Sequence, residues 1–342
     1  MSDELRDVLA AIPEATVTPS SAIAEGITHS ARYLASNAAM TSLAGDVYWP
    51  KWDSPWWHML LLWELGEAKR IPERAVTRMV AGLDAFRLKI FPVTAEELGD
   101  ANPYRDVMCH CGLGSMIQVL DACGIDAWSA VPWAVPWFPR YQMADGGLNC
   151  DDVAYTIGHE CPSSMVGTIA PFEAMLLGGP MAWSAERRAF LVKGAGFLIR
   201  RALVHGSDTK HNAEERVGEQ AWKEPCLPRF YFYDVLRGLS ALVRWAELSR
   251  ASIPAAAIRP ACTSLATRFP DGVVQVQREP FAACTSWVAG ADHAWKTREP
   301  SSRFPLLDAV SVVGAPSAHL TAQWTRTRRV LLGLYDAGQI VA

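Results

Sequence analysis

The chain is built from an imperfect repeat in which an apolar helical segment precedes a more charged one. The apolar segments are hydrophobic nearly all round, as in helices that are covered on both sides. The charged segments repeat their apolar residues with a period near 3.6, which is typical of helices with one solvent face. Five pairs are recognisable: DSPWWHMLLLWELG with PERAVTRMVAGLDAFRL, CHCGLGSMIQVLDACG with SAVPWAVPWFPRY, HECPSSMVGTIAPFEAMLL with SAERRAFLVKGAGFLIRRAL, PRFYFYDVLRGLSALVRWAE with AAAIRPACTSLATRF, and RFPLLDAVSVVG with LTAQWTRTRRVLLGLYDAG.

This alternation predicts an all-α fold, and specifically an α/α toroid of about five to six helix pairs. In such a ring the apolar helices line a central cavity and the charged helices face solvent. A helix over about residues 20–40 is predicted to close the ring, and the repeat covers about residues 45–335. Because no Pro/Gly/Ser-rich linker divides the chain, we expect one domain over residues 1–342.

Composition restricts the partners and the location. The net charge is −4 and no run of Lys or Arg occurs, so no nucleic-acid partner is expected. The first residues do not form a secretory signal, and no apolar stretch is long enough to span a membrane. We therefore expect a cytoplasmic protein whose eight cysteines are reduced, and its 14 Trp suit the walls of a cavity for a small apolar substrate. The oligomeric state is left open.

Glycines in two turns and a polar segment complete the local predictions. ADGGLNCDD and PDGVVQVQRE contain glycines at positions where a tight turn requires a positive φ. The polar segment HGSDTKHNAEERVGEQ is predicted to be a loop, with a possible role as a lid.

Several of these segments resemble the prenyltransferase and squalene-cyclase-like repeat proteins, in particular small bacterial single-domain members. The resemblance rests on the DGG turn, on SSMVGTIAPFEAML and PRFYFYDVLRGLSAL, and on YWPKWDSPWWHMLLLWELG. It implies a terpenoid cyclase-type toroid, with lyase or isomerase activity on an isoprenoid-like substrate. The chain lacks a DxDD motif, and Asp151-Asp152 lacks the third acid of DDxxD. Neither carbocation route is therefore implied.

In a toroid the turns that enter the inner helices meet at one mouth of the cavity. Chemistry-bearing residues at these helix starts are therefore predicted to converge. Cysteines beside a histidine at a helix start suit an activated nucleophile or an acid/base, and nearby carboxylates suit general acid catalysis. The candidate catalytic residues are Asp53, His58, Cys109, His110, Cys111, Asp152, Cys161 and Tyr233, and the candidate substrate-binding residues are Trp56, Trp57, Arg229 and Tyr231.

The chemistry predicted for these residues is metal-free, such as cyclisation, isomerisation or hydration/dehydration. Two alternatives to it stay open. The first is a zinc-dependent transferase or cyclase with Cys150, Asp151 and His159 as ligands, together with Cys161 and with Cys109 or Cys111 from the neighbouring unit. It is similar to protein prenyltransferase β subunits, which hold zinc with Asp, Cys and His, and MCHCGLGS resembles the zinc-binding Cys-His-Gly segment of lanthionine synthetase cyclases. The second is a non-catalytic toroid that binds a hydrophobic ligand or a protein. The expected cofactor is thus zinc or none.

Overall fold

The computed structural model describes residues 2–52, 54–103, 105–281, 286–289, 295–298 and 303–342, with side chains omitted for residues 2, 3, 286–289 and 295–298. The described chain is mostly helical, which confirms the all-α prediction. Its helices are α1 (Ser2–Ala11), α2 (Ser21–Leu34), α3 (Asn37–Gly45), α4 (Pro55–Glu64), α5 (Glu73–Asp84), α6 (Ala95–Leu98), α7 (His110–Ala122), α8 (Ala127–Ala130), α9 (Trp137–Tyr141), α10 (Met165–Met175), α11 (Ala185–Arg200), α12 (Glu214–Trp222), α13 (Val235–Ser249), α14 (Ala255–Arg268), α15 (Pro305–Val310) and α16 (Ala318–Asp336).

The remaining regular structure is short. Single 3₁₀ turns occur at Ala68–Arg70, Pro132–Ala134, Val153–Thr156 and Pro180–Ala182. Strand β1 (Ile253–Pro254) pairs in parallel with β4 (Ile340–Val341), and β2 (Ser286–Ala289) pairs antiparallel with β3 (Trp295–Arg298). No helix among the described residues is long and apolar enough to cross a membrane.

Three local predictions differ from the structure. The segment SAVPWAVPWFPRY is divided between α8, a 3₁₀ turn and α9, because its prolines lack the N–H that a continuous helix needs. The expected helix over residues 20–40 is two helices, since Ser36 accepts a hydrogen bond from Ala39 N–H and caps a new helix, α3. The polar segment predicted to be a loop contains α12.

The helices predicted to be inner are covered on every side. All residues of α7 from His110 to Leu120 are buried, and α4 and α10 are buried along most of their length. Helix α7 packs along α10 and α4, α10 contacts α13, and α13 packs on α16. Helix α2 lies between α4 and α15. Buried apolar side chains from Leu5 to Ile340 form one cluster around these contacts.

The two glycine turns support equivalent helices. Gly146 precedes α10 with φ +88°, and Gly272 precedes α16 with φ +78°, which confirms the predicted positive φ values. Gly147 has an ordinary φ, but a Cβ there would lie 2.6 Å from the Ser163 side chain. Glycine is therefore needed at this position because the packing leaves no room for a side chain.

A matching set of hydrogen bonds follows each turn. Leu148 N–H donates to Thr168 Oγ1 of α10 at 2.8 Å, and Val274 N–H donates to Thr321 Oγ1 of α16 at 3.0 Å. The serine that caps each helix donates its N–H to the carbonyl of the same turn residue. Helix α16 is thus the counterpart of α10, and not of a charged second helix as its sequence predicted.

The crossing of α7 and α10 provides a test of this packing. A Cβ added at Gly114 of α7 would lie 2.5 Å from the backbone nitrogen of Pro171 in α10, so Gly114→Ala forces the two backbones apart. We expect it to lower the free energy of unfolding by about 2 kcal/mol or more, as overpacking does. Gly333→Ala in α16 is the control, because nothing lies within 4 Å of that Cβ. It should be neutral or stabilise by about 1 kcal/mol, and urea unfolding that gives equal values for both variants would contradict the packing.

Candidate functional site

Three thiols from two distant segments lie together at the start of α7. The sulfur atoms of Cys109, Cys111 and Cys150 all lie within 4.8 Å of one another. The Cys109 and Cys111 sulfurs are 3.5 Å apart, and Cys111 N–H donates to Cys150 Sγ at 3.4 Å. We call these three residues the thiol cluster. Within the described part of the chain it is the one group of three or more Cys, His, Asp or Glu side chains with metal-binding spacing.

His110 takes part in the hydrogen bonds that hold the two segments together. Its Nε2 lies 2.9 Å from the hydroxyl of Tyr155. That hydroxyl also accepts Asn149 N–H and donates to Asn149 O, both at 3.1 Å. Asn149 is the residue before Cys150, so this hydrogen-bonded chain fixes Cys150 over the first turn of α7.

The same contacts determine the state of the imidazole. Trp137 Nε1 donates to His110 Nδ1 at 2.8 Å, which places the ring proton on Nε2, where it is donated to Tyr155. Burial lowers the pKa of His110 to about 3, so the ring is neutral at physiological pH. Both nitrogens are occupied, and this geometry makes His110 a positioning residue. Its predicted catalytic role stays a prediction.

The electrostatics of the cluster favour one thiolate. Hydrogen bonds from the thiols of Cys111 and Cys150 hold the pKa of Cys109 well below its usual range, and Gly112 N–H at the helix start adds to this effect. The negative charge on Cys109 in turn raises the pKa of Cys111 and of Cys150. The cluster therefore favours one thiolate, on Cys109, with two thiols that donate to it.

The thiol cluster faces a cavity of about 390 Å³. Cys109 and Cys150 are in its wall, opposite aromatic and apolar side chains that include Tyr48, Trp49 and Phe91. Lys51 also lines this cavity, and its positive charge contributes to the lowered pKa of Cys109. We call this space the thiol pocket. It combines one soft anionic group with a mostly apolar wall.

Tyr231, a predicted substrate-binding residue, lies beside the thiol pocket. Its hydroxyl accepts a hydrogen bond from Lys51 Nζ at 3.1 Å, and the same ammonium group lies 4.6 Å from the centre of the Tyr231 ring. The ring stacks on Trp52. Trp57 packs edge-on against Tyr231 and Phe230, and Trp56 packs on Trp57. Trp56 and Trp57 are fully buried, so they support this region from within the core.

The other candidates of the second segment lie apart from the sulfurs. Asp151 accepts a hydrogen bond from Val153 N–H, and its other oxygen lies 2.7 Å from His211 Nε2. Asp152 is exposed and lines the thiol pocket. His159 is exposed. The described structure thus groups Cys150 with Cys109 and Cys111, and not with Asp151 and His159 as the sequence predicted.

Cys161, His58 and Tyr233 have local partners that place them elsewhere. The Cys161 thiol lies against the turn residues Ala144 and Asp145. His58 stacks on Phe304 with ring centres 3.7 Å apart, and burial lowers its pKa to about 3. The Tyr233 hydroxyl is buried and donates to Leu203 O at 2.7 Å. Asp53 lies outside the described residues.

A larger cavity of about 910 Å³ lies further along the same helices. Arg229, predicted to bind substrate, is in its wall and is 5% exposed. Arg229 Nε donates to Asp234 Oδ2 at 2.6 Å, and Nη1 donates to Gln323 Oε1 at 2.5 Å. Nη2 has no partner among the described residues. We call this space the arginine cavity.

The buried polar network of the arginine cavity was not predicted from the sequence. Arg237 binds Glu173 through Nε and Nη2, and Gln118 Nε2 donates to the carbonyls of Gly114 and Ala170. The carboxylate of Glu64 accepts the N–H groups of Arg229 and Phe230, and burial raises its pKa to about 7. The network consists of Glu64, Gln118, Glu173, Arg229, Asp234, Arg237 and Gln323.

One signal for this network was present in the sequence. Gln118 and Glu173 interrupt otherwise apolar helices at the same place, nine residues after the caps Cys109 and Ser164. Equivalent positions of a repeat face the same way, so an isolated polar residue at each of them indicates a shared polar layer. The pairing with Arg237 requires the third helix and is visible only in the structure.

The lowered pKa of Cys109 predicts its reactivity. At pH 6, where ordinary thiols are protonated, Cys109 should be alkylated by iodoacetamide faster than the other described cysteines, because only the thiolate reacts. Cys111→Ala removes one hydrogen-bond donor, raises the pKa of Cys109 and should slow its alkylation severalfold at this pH. Cys123→Ala, at the opposite end of α7, is the control. Mass spectrometry over a pH series measures the rates, and an unchanged Cys109 profile in Cys111→Ala would refute the assignment of the thiolate.

Comparison with known proteins does not assign this site: no protein-family model, curated protein or solved structure matches the chain.

Proposed function

We propose that this chain is a zinc-dependent transferase with an α/α toroid fold, which uses the thiol cluster to hold the ion and the thiol pocket to bind a small, largely apolar substrate. The observation that carries the proposal is the meeting of Cys109, Cys111 and Cys150 at the wall of a cavity.

The helix contacts and the lining of the arginine cavity support a ring-like arrangement of inner helices. Contacts run from α2 to α4, α7, α10, α13 and α16 in order, and all six of these helices contribute residues to the wall of the arginine cavity. Other helices contact one another outside this series: α3 contacts α5, α9 contacts α11, α11 contacts α14, and α14 contacts α1. Six helices around one cavity, with further helices packed outside them, would match a toroid of the predicted size. This arrangement supports the proposed relationship to the prenyltransferase and squalene-cyclase-like repeat proteins.

The donor set fits zinc. Thiolates at about 2.3 Å from a tetrahedral zinc ion lie about 3.8 Å apart, so sulfurs already within 4.8 Å need to move by less than about 1 Å. Three protein ligands leave one position open, as in catalytic zinc sites, and here two of the three sulfurs line a cavity that substrate can enter. Zinc binding would release protons from Cys111 and Cys150, since a coordinating thiol is deprotonated.

The remaining residues then have defined tasks. His110 and Tyr155 hold the Cys150 segment against α7, and Asn149 transmits that constraint through its backbone. The aromatic wall excludes water and binds the apolar part of the substrate. When bound, the zinc ion would act as a Lewis acid and would lower the pKa of a water molecule or a substrate thiol that it binds.

The depressed pKa of Cys109 favours a second candidate, a metal-free enzyme in which this thiolate is the nucleophile or the base. The two functions predict different effects of Cys150. Metal chemistry requires it as a ligand, whereas a Cys109 nucleophile would lose only one of its two thiol donors and would be slowed severalfold without being abolished.

Metal binding by purified protein tests the proposal. We expect one zinc per chain, and Co²⁺ substitution should give thiolate-to-metal charge-transfer absorption. Cys150→Ser should weaken metal binding about 100-fold or more, because it leaves two thiolates. Cys123→Ser is the matched control and should bind as the native chain does, since Cys123 lies at the far end of α7. Absence of stoichiometric metal, or equal affinity in both variants, would refute the zinc function.

A further inference from the structure

The arginine cavity and the thiol pocket are separate sites. The thiol cluster lies at the first turn of α7, whereas α7 contributes Gln118, two turns further along, to the arginine cavity. No described residue belongs to the walls of both cavities. A ligand in the arginine cavity would therefore bind independently of the thiol cluster.

One face of α16 presents polar groups to the arginine cavity. His319, Gln323 and Arg326 are spaced by four and three residues, so they lie on the same side of the helix. Within the described residues, His319 and Arg326 have no hydrogen-bond or ion-pair partner. The Nε2 group of Gln323 has none either, because the bond to Arg229 uses its oxygen. The Nη2 of the buried Arg229 side chain is also unpaired, whereas His319 and Gln323 are half-buried and Arg326 is exposed. These donors are therefore accessible to a ligand in the cavity.

The charges of the cavity wall are nearly balanced except at Arg326. Arg237 pairs with Glu173, Arg229 with Asp234, and Arg244 with Glu247. Glu67 pairs with Arg70, which leaves Arg326 and Glu64. Burial raises the pKa of Glu64 to about 7, and both of its oxygens accept backbone N–H groups. Arg326 is thus the cation of the wall that has no carboxylate partner among the described residues, and an anionic ligand group can pair with it.

The surroundings of His319 determine its protonation state. Burial, and then the positive charges of Arg229 and Arg326, lower the pKa of His319 to about 3. The imidazole is therefore neutral and serves as a hydrogen-bond donor beside two guanidinium groups. An anion between them would relieve the repulsion that these groups exert on one another.

The other side of the cavity is apolar. Ile23 and Ile27 of α2, Leu176 and Leu177 after α10, and Val310 of α15 line it. The volume of about 910 Å³ is within the range of small-molecule sites. A ligand that fits has a hydrocarbon body and an anionic end.

We propose that the arginine cavity is a second binding site, which takes a small apolar carboxylate with its carboxylate end against Arg326, His319, Gln323 and Arg229. A carboxylate offers acceptor oxygens to Arg326 and to the unpaired Nη2 of Arg229, and its planar shape matches a guanidinium fork. A phosphate dianion is disfavoured, because Glu173 and the ionised fraction of Glu64 lie in the same wall.

Isothermal calorimetry on the full chain at pH 6.5, with octanoate as the probe, tests the site. Octanoate is expected to bind with a 1:1 stoichiometry and to raise the melting temperature. Acetate should bind at least about tenfold more weakly, since it lacks the hydrocarbon body. Octan-1-ol should also bind at least about tenfold more weakly, since it lacks the charge. Octyl phosphate binding more tightly than octanoate, or octan-1-ol binding as tightly, would overturn the carboxylate assignment.

Matched variants on one helix locate the site. Arg326→Gln should weaken octanoate binding about tenfold or more, whereas Arg329→Gln should not, because Arg329 of α16 lies outside the cavity wall and pairs with Glu14. Circular dichroism checks that both variants fold. Cys150→Ser should bind octanoate as the native chain does, which separates this site from the thiol cluster. Absence of octanoate binding, equal affinity in the two arginine variants, or loss of binding in Cys150→Ser would overturn the inference.

Discussion

The close approach of α7 and α10 at Gly114 is the contact on which both cavities depend. The absence of a side chain at this position lets the backbones of the two helices touch at Ala170 and Pro171. Gln118 then bridges the helices by donating to the carbonyls of Gly114 and Ala170. Toward the start of α7 the same crossing brings the Cys150 segment within reach of Cys109 and Cys111. In the other direction it places Glu173 opposite Arg237.

A division of tasks within one short segment follows from this geometry. In the sequence CHC the sulfurs of the two cysteines contact each other, Cys109 lines the thiol pocket, and the histidine ring contacts Tyr155 and Trp137. The imidazole satisfies two buried polar side chains and fixes the neighbouring segment. The thiols are left to interact with one another and with Cys150. A buried neutral histidine with two partners thereby supports a reactive cluster without belonging to it.

The segment from Arg229 to Tyr231 connects the two cavities. Arg229 lines the arginine cavity, Phe230 packs between Trp52 and Trp57, and Tyr231 meets Lys51 beside the thiol pocket. Glu64 holds the segment by accepting the N–H groups of Arg229 and Phe230. Three consecutive residues thus contribute to both sites and to the core between them. The buried carboxylate at the end of α4 holds their backbone in position through these hydrogen bonds.

The sequence alone determined the helical class, the extents of most helices and the glycine turns, because hydrophobic period, capping residues and positive φ are local properties of the chain. It also predicted that the segments of Cys109 and Cys150 have related chemistry. Only the tertiary structure decided which side chains meet: Cys150 joined Cys109 and Cys111, while Asp151 turned to His211 and His110 to Tyr155. The polar layer of Glu64, Gln118, Glu173 and Arg237 likewise required the structure. Such pairings depend on the rotation and spacing of helices far apart in sequence, and a single helix carries no record of its neighbour's orientation.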